Sequence, residues 1–135
     1  MELTAEIAAI RSGAGDSGRL LGEFRRAVLL VPLPDGPDAG LMSAVSGGIR
    51  WIYAFTDEEA LARFAAARGE ANAGREWEYL SILGARLVDA VVPTADRPAG
   101  VAVNVADEDG SMFFPPVVGI VPDGSAVDLD RGEVA

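Results

Sequence analysis

Residues 49–68, IRWIYAFTDEEALARFAAAR, pass directly from the two-residue period of a strand to the spacing of an amphipathic helix. Ile49, Trp51, Tyr53 and Phe55 fall on one face of the strand, and Ile52 and Ala54 line the other. Thr56 stands where a helix N-cap belongs, and Glu59, three residues on, has the spacing of a capping box. Asp57 and Glu58 add negative charge at the positive end of the helix dipole. Leu61, Phe64 and Ala65 make the buried stripe, Glu59 and Arg63 are i, i+4 partners on the outer side, and Gly69 fits a C′ glycine. A strand that runs straight into such a helix must bury both against one core, so the chain is expected to be an α+β (mixed α/β) layer fold.

The remaining segments fill in that architecture. Leu3, Ile7 and Ile10 form a weak helical face, and a second helix is expected over Ser17–Arg26, capped by Asp16 or Ser17, with Leu20, Leu21 and Phe24 inward. Residues 27–31 are apolar on both faces, the pattern of a central strand, and Pro32 and Pro34 end it before a loop of turn residues at 35–40. Two apolar runs, 41–45 and 49–55, flank Ser46-Gly47-Gly48, a hairpin signal because both central turn positions need positive φ. Trp77 and Tyr79 alternate with Glu76 and Glu78 as a strand with one wet face. Leu83, Leu87 and Val91 point to a helix over 82–91, Gly84 notwithstanding, and Pro93 stops it. Residues 94–100 read as loop, 101–105 as a strand, and Asp109-Gly110 as a tight turn before the strand 111–114. Residues 117–121 fit a strand or one helical turn. The expected whole is a single sheet of about five strands covered by helices. Residues 1–15 form an N-terminal helical extension, 16–122 the domain, and 123–135 an acidic, frayed tail.

Residue types that are missing restrict the chemistry. The 135 residues include no His and no Cys, and all 11 basic residues are Arg. Imidazole bases, thiolates, disulfides, zinc–sulfur sites, Schiff-base lysines and the P-loop lysine are therefore excluded together. A carboxylate- and Arg-based chemistry stays open. An excess of Ala, Gly, Val, Asp and Arg makes codon bias in a GC-rich genome the simplest account of the missing Lys. A formal net charge of -10 on 14.0 kDa disfavours nucleic acid and anionic membrane surfaces as partners. There is no run of about 18 uninterrupted apolar residues to span a bilayer. The start, MELTAEIAAIRSG, is acidic where a signal peptide would be basic, so a cytoplasmic location is expected.

Three features together carry a family resemblance: Leu30-Val31-Pro32, the glycine hairpin, and Ala54-Phe55-Thr56-Asp57 ahead of a helix. In these the chain resembles the SseB-like family, named for a bacterial protein linked to serine sensitivity. Members of that family show an apolar strand ending in Val-Pro, then a strand closing in Phe-Thr-Ser or Phe-Thr-Asp before a helix. They also carry a late strand ending in Asn-Pro-Gly. Asn104 keeps the Asn of that last motif, while Val105 and Ala106 replace Pro-Gly. The likeness runs over residues 24–121. It implies an α/β domain without a catalytic residue set to carry over, of a family in which some members are described as secretion-related.

Candidate sites each have a structural account beside the functional one. Asp107-Glu108-Asp109-Gly110 offers oxygen ligands for Ca²⁺ or Mg²⁺, but it lacks EF-hand spacing and reads first as a solvated turn. Asp57-Glu58-Glu59 contains paired acids, and helix capping explains them. Arg25-Arg26 suits an anion or the negative end of a helix dipole, and Asn104 suits a ligand or local backbone groups. Trp51, Tyr53, Trp77 and Tyr79 are four of nine aromatics (two Trp, two Tyr, five Phe) and fall on two expected strands. They are either core or, with Arg50 beside them, a binding surface built from the usual anchor residues of protein interfaces.

The residues are thus expected to describe a non-enzymatic protein-interaction or regulatory module. Its binding residues would be Arg50, Trp51, Tyr53, Trp77 and Tyr79, with a protein partner or a homodimer and with no metal or cofactor. The alternative is a small-molecule-binding domain or a weak enzyme using carboxylates and Arg. An immunity-type partner of another bacterial protein is a third possibility.

Overall fold

The computed structural model describes residues 3–33, 40–68, 78–108 and 110–128. Two helices open the chain, α1 (Leu3–Arg11) and α2 (Ser17–Arg26). The Asp16 side chain caps α2 by accepting from the Arg19 N–H, and Leu20 and Phe24 are buried, as their spacing requires. Strand β1 (Val28–Pro32) follows, then the hairpin of β2 (Ser43–Ser46) and β3 (Ile49–Ala54). Gly47 (φ 62°) and Gly48 (φ 81°) form its turn, the left-handed pair that the Gly-Gly dipeptide predicts. Helix α3 (Glu58–Ala67), strand β4 (Tyr79–Leu83), a helical segment α4, β5 (Ala99–Val103) and β6 (Met112–Phe114) complete the order. In α4 an α-helical turn, Gly84–Arg86, widens to π-type over Leu87–Val91 and tightens to 3-10 over Val92–Thr94.

The α+β class holds, but the strands form two sheets rather than one of about five strands. Among the described residues β2-β3-β5-β6 make a four-stranded sheet, with β3 and β5 parallel and the outer pairs antiparallel. A two-stranded sheet pairs β1 with β4, Val28 opposite Leu83 through Pro32 opposite Tyr79. The sheets join where Leu30 and Phe55 exchange two backbone hydrogen bonds of 2.8 Å each, and the Met42 N–H just ahead of β2 adds a bond to the Pro32 carbonyl at 3.0 Å. β1 is therefore not a central strand. Among the described residues it has a full partner on one side only, and Val28, beyond the junction, is 58% exposed. Its apolar composition serves two clusters instead, Leu29 and Val31 facing one and Leu30 the other.

Helices cover both faces. Ile7 of α1, Phe24 of α2 and Leu87 and Val88 of α4 are fully buried in the main core with Leu29, Val31, Val101 and Val103. Phe24 stacks on Phe114 at 4.1 Å between centroids. On the other side α3 packs Ala60, Leu61 and Phe64 onto Phe55, with Leu30, Met42, Tyr53 and Tyr79 against them. The N-terminal residues expected as an extension contribute Leu3 and Ile7 to the main core. Arg11 also donates to the carbonyls of Glu108 (2.6 Å) and Ser111 (3.1 Å). Of the acidic tail, Asp123–Ser125 make a 3-10 turn, Ala126 is buried, and the Val127 N–H donates to the Pro116 carbonyl.

Three local expectations are corrected. The N-cap of α3 is Asp57, which accepts from the Ala60 N–H, and not Thr56, whose own N–H is taken by Asn104. Strand β4 extends to Leu83, so the following helix starts two residues late. Glycine at 84 has a steric reason: a Cβ there would run into the carbonyl of Phe24. Strand β5 begins at Ala99 and ends at Val103, earlier than expected, because Asn104 turns into the left-handed region at φ 53°. Gly69 and the loop at 35–39 lie outside the described residues.

Candidate functional site

The four-stranded sheet has one closed face and one partly open face. On the closed face Ile52, Ala54, Val101, Val103 and Phe114 are at most 4% exposed. On the other, the register places Trp51 beside Gly100 and aligns Tyr53, Ala102 and Phe113 across three strands. Gly100 and Ala102 form a low floor, so the Trp51 indole can lean across β5 to meet Phe113, 5.3 Å away and tilted by 40°. A Cβ on Gly100 would stand 2.8 Å from the indole and 2.6 Å from the Phe114 carbonyl, so glycine is what permits this contact. Trp51 and Tyr53 are half-buried, and Phe113 is 59% exposed. Tyr53 continues the row into α3, tilted against Phe64 at 5.1 Å.

The expected binding residues do not all gather here. Trp51 and Tyr53 share the open face. Tyr79 lies on β4 and reaches the same α3 cluster as Tyr53, and its hydroxyl donates to Glu58 at 2.8 Å. That bond holds the phenol above its ordinary pKa, because ionising Tyr79 beside the carboxylate is unfavourable. Trp77 lies outside the described residues. Arg50 is one residue out of phase with Trp51 and projects to the other face, so it is not the neighbour the sequence reading placed in the aromatic row. Its guanidinium donates to Asp96 (3.2 Å) and to the Ser43 hydroxyl (3.0 Å). The Asp96 carboxyl is held below its usual range chiefly by that bond. Arg50 and Ser43 line a cavity of about 270 Å³ whose apolar wall includes Leu41, Ile52 and Val91. Phe113 belongs to the surface and was not singled out from sequence, although Phe113-Phe114 in a strand must place one ring in and one out.

The polar candidates have structural employment. Asn104, 2% exposed, accepts from the Thr56 N–H (3.1 Å) and donates to the Thr56 hydroxyl (3.0 Å). Its own N–H reaches the Ala54 carbonyl at 2.9 Å. The amide thus clamps the ends of the parallel strands β3 and β5 together. Asp107 pairs with Arg63 of α3 at 2.9 Å, and Asp109 lies outside the described residues. Arg25 grips Asp89 with two bonds, 2.6 and 3.2 Å, which raise the arginine pKa and lower the carboxyl's. Arg26 pairs with Glu23. Among the described residues no group of three or more carboxylates is placed to hold a metal ion, and no helix is long and apolar enough to cross a membrane.

In this α+β domain α3 docks beside Phe55, Thr56 and Asp57, and Asn104 is locked onto Thr56, so the residues that carry the family resemblance sit together. The family model for the SseB protein N-terminal domain matches residues 3–119, and the chain belongs to that family. No curated protein and no solved structure matches it.

Proposed function

We propose that this domain is a non-enzymatic protein-interaction module that binds through the open face of its four-stranded sheet. One observation carries the reading: Phe113 stands 59% exposed with the half-buried Trp51 leaning against it. Large aromatics over a small-residue floor give a partner apolar area at low entropic cost, and Trp and Tyr are typical anchors of such contacts. The net charge of -10 favours a protein partner, a second copy included, over nucleic acid or an anionic membrane. A chain without His, Cys or Lys also has few groups suited to catalysis at neutral pH. The cytoplasm is the proposed location.

The test is site-directed photo-crosslinking in the native host. A photoreactive phenylalanine analogue at position 113 is expected to give a discrete adduct, and the same group at the exposed Ala62 of α3 none. Equal labelling from both positions, or adducts from 62 alone, would overturn the proposal.

A second reading, a small-ligand domain, draws on the cavity of about 270 Å³ that Arg50 and Ser43 line. A thermal-shift screen of metabolites and divalent metals tests it, since a ligand that binds only the folded state must raise its stability. A screen without any stabilised condition removes this reading.

A further inference from the structure

We draw no further inference here: the strongest candidate, the apolar groove of about 320 Å³ between the first turn of α2 and the segment after β6, lined by Leu20, Leu21, Phe113, Val117 and Ile120, has nothing in the structure to show what covers it.

Discussion

The two faces of the four-stranded sheet share strands and backbone yet differ in what covers them. On one face Ile52, Val101, Val103 and Phe114 meet α1, α2 and α4 in the main core. On the other, α3 reaches Tyr53 and Phe55 but leaves Phe113 59% exposed. Phe113 and Phe114 are adjacent, and the pleat alone assigns one to folding and the other to the surface. The comparison separates two uses of an aromatic side chain. Phe114 stacks at 4.1 Å on Phe24 inside a closed core, while Phe113 touches Trp51 and then water. Changes on the closed face should therefore act on stability, and changes on the open face on binding.

The largest effect should come from the closed face. Phe24→Ala deletes a fully buried ring and its stack on Phe114, and should cost about 3–5 kcal/mol in urea unfolding. A loss below about 1 kcal/mol would mean that this face is not the core the comparison takes it to be.

Next is the clamp at the ends of β3 and β5. Asn104→Ala removes both bonds to Thr56 and puts a Cβ residue without a local polar partner at φ 53°. We expect a loss of about 2–3 kcal/mol, combining an unsatisfied partner with left-handed strain. Asn104→Gly relieves the strain and should recover about 1 kcal/mol of it. Equal losses for the two variants would place the whole effect in the hydrogen bonds.

A smaller effect comes from the pair that ties α2 to α4. Asp89 is half-exposed, so Asp89→Asn should cost less than about 1 kcal/mol. The sign follows from the lowered carboxyl pKa: the native state holds fewer protons than the unfolded chain. The contribution is complete above the ordinary carboxylate pKa and fades as acid protonates Asp89. Asp96, lowered by Arg50, acts in the same direction. Tyr79 acts in the opposite one: its raised pKa makes a contribution that is present below the ordinary phenol pKa and lost as the solution becomes more alkaline. Stability measured against pH for Asp89→Asn and the parent should converge at low pH.

The smallest effect on folding belongs to the open face. Phe113→Ser should shift stability by no more than about 0.5 kcal/mol, read from the same urea curves as Phe24→Ala.

Local signals in the sequence were legible where one physical rule decides the outcome. Asp16 capping α2, the Gly47-Gly48 turn and the inward positions Leu20 and Phe24 all follow from such rules. So does the pairing of Trp51 with Tyr53 on one face. The division of the sheet was not legible, because it depends on long-range backbone contacts of β1, those of Leu30 with Phe55 and of Pro32 with Met42. β1 carries the apolar signature of a central strand because two clusters share its faces, without a second strand along its length among the described residues. The N-cap of α3 shifted from Thr56 to Asp57 for a similar reason: a partner 48 residues away claims Thr56. Gly84 looked like a defect in a helix until the Phe24 carbonyl beside it explained why no side chain fits. At the candidate site, the aromatic row was visible in the alternation of β3. Its third ring, Phe113, needed the register of β5 and β6. Arg50 shows the converse, since its odd-even parity relative to Trp51 already assigns it to the opposite face.

The measurement closest to the central claim is the affinity of a partner captured at position 113 for the parent, for Phe113→Ser and Trp51→Ala, and for Leu83→Ser. Leu83 supplies the control because it is an exposed apolar residue (41%) on the other sheet. The account predicts at least a roughly tenfold loss, about 1.4 kcal/mol, for each open-face variant and no change for Leu83→Ser. Unchanged binding by the Trp51 and Phe113 variants, with Leu83→Ser weakened, would contradict it.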